Sequence, residues 1–214
     1  MGVYAERILP WILGRLLTLP HVTEQRLPAL ATARGRVLEI GFGLGASLAA
    51  YPREEQVRDL VGLEPSRGMI RLALHSAGSS PFPVLLVRAD ARAIPVRDGV
   101  FDTVVSNWTL CSIPDPGDAL REVRRVLRPG GRFLFVEHGR AEDPRLARWQ
   151  RRLNPIQRRL AGGCRLDLAV EEVVLAAGFS LDSLERYRGR PGPRLLTQMY
   201  RGVARAPGGS GDPS

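Results

Sequence analysis

A three-layer α/β sandwich, with a mostly parallel seven-stranded sheet and helices on both faces, is the fold this sequence predicts. Three observations predict it. Short apolar runs recur at 36–40, 57–64, 83–88, 101–106, 132–137, 179–186 and 195–204. Helical patterns separate most of them, as parallel strands joined by crossover helices require. The runs are continuously apolar, which fits strands covered on both faces. A chain of 214 residues suits one domain with a single core. That domain is expected to span 1–205, with 1–33 as a helical cap and 143–161 as a helical lid.

Residues 4–19 carry Tyr4, Ile8, Trp11, Ile12, Leu16 and Leu19 at helical spacing, interrupted by Arg7, Gly14 and Arg15. A packed helix, an interfacial membrane helix and a signal peptide compete for this segment. Arg15 within the apolar run counts against the signal peptide; the packed helix is favoured and the membrane-surface helix stays open. A second short helix is expected at 23–33. After strand 36–40 a helix is expected at 46–51. Helix 66–77 has Ser66 as its N-cap and an apolar set of Met69, Ile70, Leu72, Ala73 and Leu74. Asp115-Pro116 reads as N-cap and first position of a helix running to Arg128, stopped by Pro129-Gly130-Gly131. Asp143-Pro144 and Asn154-Pro155 carry the same signature, so 143–161 is expected as two short helices or one kinked helix. Its apolar residues Leu146, Trp149, Leu153, Ile156 and Leu160 step by three and four. That stripe can face solvent beside the arginines or cover a site as a lid. Helix 168–177 ends at Gly178, and residues 206–214 are expected to form a disordered tail.

The net charge is +9 and every basic residue is Arg. This permits an anionic partner without choosing one, and a solvated basic surface suffices. No window reaches 18 apolar residues, so no ordinary transmembrane helix is expected. Cys111 and Cys164 have no metal-ligand spacing, so no metal is expected. They read as packed, reduced thiols of a cytoplasmic protein.

Ligands in open parallel sheets bind at the carboxyl ends of the strands. Four polar features fall there: Glu39 with Gly41, Gly43 and Gly45, then Glu64, then Asp90, then Ser106-Asn107. The glycine turn suits close approach of a ligand to backbone. By itself it fits a plain tight turn, or a dinucleotide through G-x-G-x-x-G/A at Gly41, Gly43 and Ala46. A carboxylate at Glu64 can accept both hydroxyls of a ribose. Asp90 can accept from an adenine amine. Together they describe an adenosine ligand laid across the strand ends.

The stretches VLEIGFGLG, VGLEPS, ADARAIPVRDGVFDTVVSNWTL and LREVRRVLRPGGRFLFVE resemble the class I S-adenosylmethionine-dependent methyltransferases over 36–140. TLCSIPDP, VEH at 136–138 and WQRRLNPIQRRLAGGCRL resemble more narrowly the methyltransferase-like thiol S-methyltransferases and their bacterial relatives. The mammalian members carry an N-terminal membrane helix, and the Arg-interrupted segment 4–19 departs from it. The resemblance implies a Rossmann-like fold and S-adenosylmethionine as cofactor. It implies that Gly41, Gly43 and Gly45 admit the methionine part and ribose, and that Glu39 anchors the turn or the amino group. Glu64, followed by Pro65 and Ser66, would hold the ribose. Asp90 and the backbone of Ala91 would meet the adenine, and Asn107 would sit beside the methyl group. Tyr4 would close over the cofactor.

Methyl transfer from an activated sulfonium needs alignment and exclusion of water more than acid–base chemistry. His138, at the end of a strand, is the histidine placed to orient or deprotonate an acceptor. The expected reaction is methylation of a small lipophilic acceptor, first a thiol. A phospholipid amine or a quinone precursor is the alternative, with 4–19 and the Arg-rich 145–159 docking on a membrane. Nucleic acid is disfavoured, because Asn107-Trp108-Thr109-Leu110 lacks the Asp/Asn/Ser-Pro-Pro-aromatic pattern of amino-methylating enzymes. A non-catalytic cofactor-binding scaffold is the reading from a different class.

Overall fold

The computed structural model describes residues 24–25, 28–52, 55–189 and 192–208. The segment 4–19, including Tyr4, lies outside them. The ordered elements are β1 (Gly35–Ile40), β2 (Val57–Leu63), α1 (Arg67–Gly78), β3 (Val84–Val87), β4 (Phe101–Asn107), α2 (Pro116–Val126), β5 (Leu127–His138), α3 (Pro144–Leu160), α4 (Val170–Ala176), β6 (Ser180–Arg188) and β7 (Gln198–Arg205). Helical residues at 24–25 and 28–30 precede them.

The sheet has the order β3-β2-β1-β4-β5-β7-β6. The first five strands in that order are parallel, and β7 runs antiparallel to both neighbours. Side chains alternate across the sheet. Phe133 and Phe135 of β5 join Leu120, Val123 and Val174 in one core layer. Leu134 and Val136 join Val37, Leu30 and Leu48 on the opposite face. Both faces are therefore buried, and this is why the strands read as unbroken apolar runs.

The register fixes where chemistry can occur. Ile40 of β1 lies opposite Leu63 of β2 and Ser106 of β4, and Leu63 lies opposite Val87 of β3. The residues that follow, Gly41, Glu64 and Asn107, consequently emerge side by side. This happens where the connections leave the sheet in opposite directions, between β1 and β4.

Several local expectations need correction. The helix expected at 46–51 is a single 3-10 turn, Leu48–Ala50. Tyr51 precedes Pro52, and the proline ring forces it into extended backbone (ψ 147°). The apolar set of α1 is only partly used: Ala73 is buried, whereas Leu72 and Leu74 are exposed. α3 is one helix through Pro155, opened by Asp143, whose carboxylate accepts from the Arg145 N–H. Its buried side chains are Gln150 and Asn154, while Trp149, Ile156 and Leu160 face solvent. Gln150 Oε1 accepts from Ala141 N, and Asn154 Oδ1 accepts from Leu166 N. Satisfying two loop N–H groups thus decides which side of α3 turns inward. Ala206, expected in the tail, is instead buried and donates its N–H to Gly131 O; residues 209–214 lie outside the described residues.

One side chain closes the carboxyl edge of β5. Glu137 is fully buried. Its Oε1 accepts from Ser106 Oγ (2.6 Å), Thr109 N (3.1 Å) and Leu110 N (3.0 Å), and its Oε2 from Cys111 N (3.1 Å). The carboxylate thereby serves as the partner of a turn that has no ladder of its own.

Two substitutions test the packing. A Cβ at Gly202 of β7 would lie 2.5 Å from Phe135 Cζ and 2.7 Å from Ser183 O. Gly202→Ala should cost about 1–3 kcal/mol in urea unfolding. Gly117, in the first turn of α2, has open space around it, so Gly117→Ala should be neutral or stabilise by about 0.5 kcal/mol. Glu137→Ala leaves three buried N–H groups unpaired and should lose about 3 kcal/mol or more in the same assay. A loss below about 1 kcal/mol would show that the carboxylate does not hold the turn.

Candidate active site

A cavity of about 300 Å³ opens at the carboxyl ends of β1, β2, β3 and β4. Of the residues expected there, Gly41, Gly43, Glu64, Pro65, Asp90, Ala91 and Asn107 line it. Glu39, Gly45, Ser66 and His138 stand behind or beside the wall.

The two glutamates have separate duties. Glu64 Oε2 accepts from Gly43 N (3.0 Å) and Oε1 from Ser66 N (2.9 Å). The carboxylate ties the glycine turn to the start of α1, and a carboxylate's further lone pairs can meet a diol. Glu39 is buried and off the cavity. Its Oε1 accepts from Ser47 Oγ (2.5 Å) and its Oε2 from Tyr51 OH (2.9 Å). Burial first, and then the neighbouring Glu39 charge, push the Tyr51 phenol well above its usual range. Tyr51 therefore stays a donor at any ordinary pH. Glu39 is an anchor for the loop behind the glycines.

Ser47 passes this chain of bonds to the cavity. Its Oγ accepts from Asn107 Nδ2 (3.1 Å). With its amide nitrogen so held, Asn107 directs the other end onward, and its buried Oδ1 has no hydrogen-bond partner among the described residues. Such an oxygen is costly unless a ligand or water supplies a donor.

Gly41 shows why a glycine stands at the turn. Its φ is +66°, and a Cβ there would lie 2.2 Å from Thr109 Oγ1. Thr109 Oγ1 lies 3.4 Å from the Gly41 carbonyl, to which it donates. The glycine turn and the turn after β4 are thus in contact across the cavity floor. Trp108, which joins that turn to β4, holds a left-handed backbone (φ 53°).

Asp90 is half-exposed and gripped by Arg92, whose Nη2 donates to Oδ2 at 2.7 Å. The Arg92 hydrogen bonds hold the Asp90 carboxyl below the usual carboxylate range. A lowered value means that Asp90 remains charged throughout neutral and mildly acidic pH, losing its charge only as pH falls through that value.

Three features escaped the sequence reading. Trp108, Ile113 and Pro114 give the cavity part of its apolar lining; their segment shows no periodicity that marks it as a wall. Glu137, the acidic end of an apolar strand, gave a signal of the same kind as Glu39 and Glu64. The third is a cluster that no sequence spacing marks. Cys111, Cys164 and His138, distant in sequence, place their donor atoms within 4.8 Å of one another. Cys111 Sγ is 3.5 Å from Cys164 Sγ, and Cys164 Sγ is 3.6 Å from His138 Nδ1. The shared thiol hydrogen bond, with burial, raises Cys111 well above its usual value, and the same bond lowers Cys164. His138 stacks on Trp108 at 5.9 Å between ring centroids and does not itself line the cavity.

Comparison with known proteins agrees with this geometry. Residues 38–135 match the methyltransferase domain family. Human thiol S-methyltransferase TMT1A is 34% identical over 172 residues, covering 78% of this chain and 69% of that protein. The phosphatidylethanolamine N-methyltransferase of Cereibacter sphaeroides is 33% identical, covering 70% of this chain and 73% of its own. A solved SAM-dependent methyltransferase from Methanosarcina mazei superposes with a TM-score of 0.64 at 20% identity, covering 85% of this chain and 96% of that one, which shows the shared fold. The glycine turn, the carboxylates at successive strand ends and these relatives together place the chain in the family of class I S-adenosylmethionine-dependent methyltransferases.

Proposed function

We propose that this methyltransferase acts on a small lipophilic thiol. The observation that carries the reading is the apolar lining of the cavity. Leu63, Met69, Trp108, Ile113 and Pro114 line it, and its ionisable lining residues, Glu64 and Asp90, are assigned to the cofactor. An acceptor received by apolar walls must bring its own nucleophile. A thiol does so near neutral pH, with an unperturbed pKa of about 8.5, whereas an alcohol does not. The similarity to TMT1A supports the same choice.

The residues fit S-adenosylmethionine. Asn107 offers an unpaired buried oxygen that the ammonium group could satisfy. At Gly43, which lines the cavity, a Cβ would meet nothing nearer than the Gly41 carbonyl at 3.9 Å, leaving room beside the backbone. Bound there, the cofactor supplies an electrophilic methyl group. Glu64 would take the ribose hydroxyls while keeping the glycine turn in place. Asp90 and Ala91 would border the adenine. Asn107, fixed through Ser47 and Glu39, would orient the methionine end. Trp108 and Ile113 would exclude water from the line of transfer, which is the main requirement of this chemistry.

A second reading, transfer to a phospholipid amine, is favoured by α3. That helix exposes Trp149, Ile156 and Leu160 among its arginines, a composition suited to an anionic membrane surface. The related phospholipid enzyme supports it.

A methyl-transfer assay with a small thiol, a phospholipid amine and a quinol side by side separates the readings. Thiol turnover should rise about tenfold per pH unit below about pH 8.5, as thiolate accumulates. Transfer to the phospholipid alone would overturn the thiol reading, and inactivity on all three would point to a cofactor-binding scaffold. Glu64→Ala should weaken cofactor binding by about tenfold or more in calorimetry; an unchanged affinity would remove Glu64 from the ribose site.

A further inference from the structure

We propose that Cys111, His138 and Cys164 bind one thiophilic divalent cation of the zinc class, just behind the Trp108 wall of the cavity. The donor spacing carries the inference. A tetrahedral zinc ion holds sulfur at about 2.3 Å and imidazole nitrogen at about 2.0 Å, so its ligands stand about 3.8 Å (sulfur to sulfur) and about 3.5 Å (sulfur to nitrogen) apart. Here the sulfurs are 3.5 Å apart and the Cys164 sulfur is 3.6 Å from His138 Nδ1. The third pair lies within 4.8 Å, and a modest contraction closes it.

Backbone contacts between their own segments bring the three donors together. The Cys111 N–H is fixed by Glu137, and the Cys111 carbonyl accepts from Arg165 N at 2.8 Å. Cys164 follows Gly163, whose left-handed backbone (φ +95°) presses so close to Ser112 that a Cβ would lie 2.9 Å from the Ser112 carbonyl oxygen. His138 closes β5, paired with Met199 of β7. Two thiols and an imidazole are the donor set that selects zinc over hard cations such as magnesium or calcium. The buried Glu137 carboxylate, hydrogen-bonded to the backbone of the same turn, adds negative charge that favours a cation. Three protein ligands leave the fourth position for water.

A cation here would join the turn Leu110–Ser112 to the turn 161–164. Ser112 and Gly162 line the cavity from those two turns, so the ion would set the distance between them. The inference stands whatever the methyl acceptor is.

Cobalt titration of the full chain, reduced and stripped of metal, tests it. One equivalent of Co²⁺ should produce a thiolate-to-cobalt charge-transfer band and the intense visible bands of a tetrahedral ion, and Zn²⁺ should abolish both. Cys111→Ser, Cys164→Ser and His138→Gln should each weaken binding by about tenfold or more, whereas Ser183→Ala should leave it unchanged. The wild-type spectrum decides even where a variant misfolds. Absence of the charge-transfer band in folded protein would overturn the proposal. So would bands that survive both cysteine substitutions, or a disulfide that forms in air in a protein that takes up no cobalt after reduction.

Discussion

The carboxylate of Glu137 is the constraint on which the cavity wall depends. Burying a charge is costly, and it is tolerated here because four donors converge on it. Those donors come from β4 and from the turn that follows it, so one side chain on β5 decides where residues 109–111 run. Thr109 then reaches the Gly41 carbonyl, and Cys111 is set opposite Cys164. Replacing the carboxylate would disturb the glycine turn, the cavity lining that follows β4 and the thiol pair together, although none of them is adjacent to residue 137 in sequence.

The glutamate that closes β1 illustrates a different use of the same residue type. Glu39 receives Ser47 and Tyr51, and through Ser47 it orients Asn107. This buried relay starts outside the cavity and ends on its wall. Glu64 stands on the wall itself and binds backbone N–H groups from two separate segments. The first fixes an orientation, and the second presents a charge.

The sheet was legible in the sequence because burial on both faces leaves a direct mark, a short continuous apolar run. Strand-end carboxylates were legible for a related reason: an acidic residue closing such a run has few places to go. Glu137 closes the apolar run of β5 in the same way. What stayed hidden depends on pairings across long separations. The short turn at 48–50 follows from Tyr51 meeting Pro52 and from side chains turned toward Glu39, which override the helical pattern of 46–51. α3 turns its polar Gln150 and Asn154 inward because loop N–H groups there need partners, which the periodicity of its leucines and tryptophan alone could not show. Cys111 and Cys164 meet only because Gly163 permits a turn that no spacing rule announces.

The antiparallel strand β7 lies between β5 and β6, yet it is the last strand in the chain. During synthesis, the outer edge of β5 therefore waits until residues 198–205 leave the ribosome. Until then a long hydrophobic strand with Phe133 and Phe135 offers its unpaired amides to any neighbour. The cofactor-binding half can assemble early, but the nascent molecule remains prone to self-association until its final strand inserts. A truncation that removes β7, from Gln198 onward, would thus threaten solubility before it threatened the glycine turn.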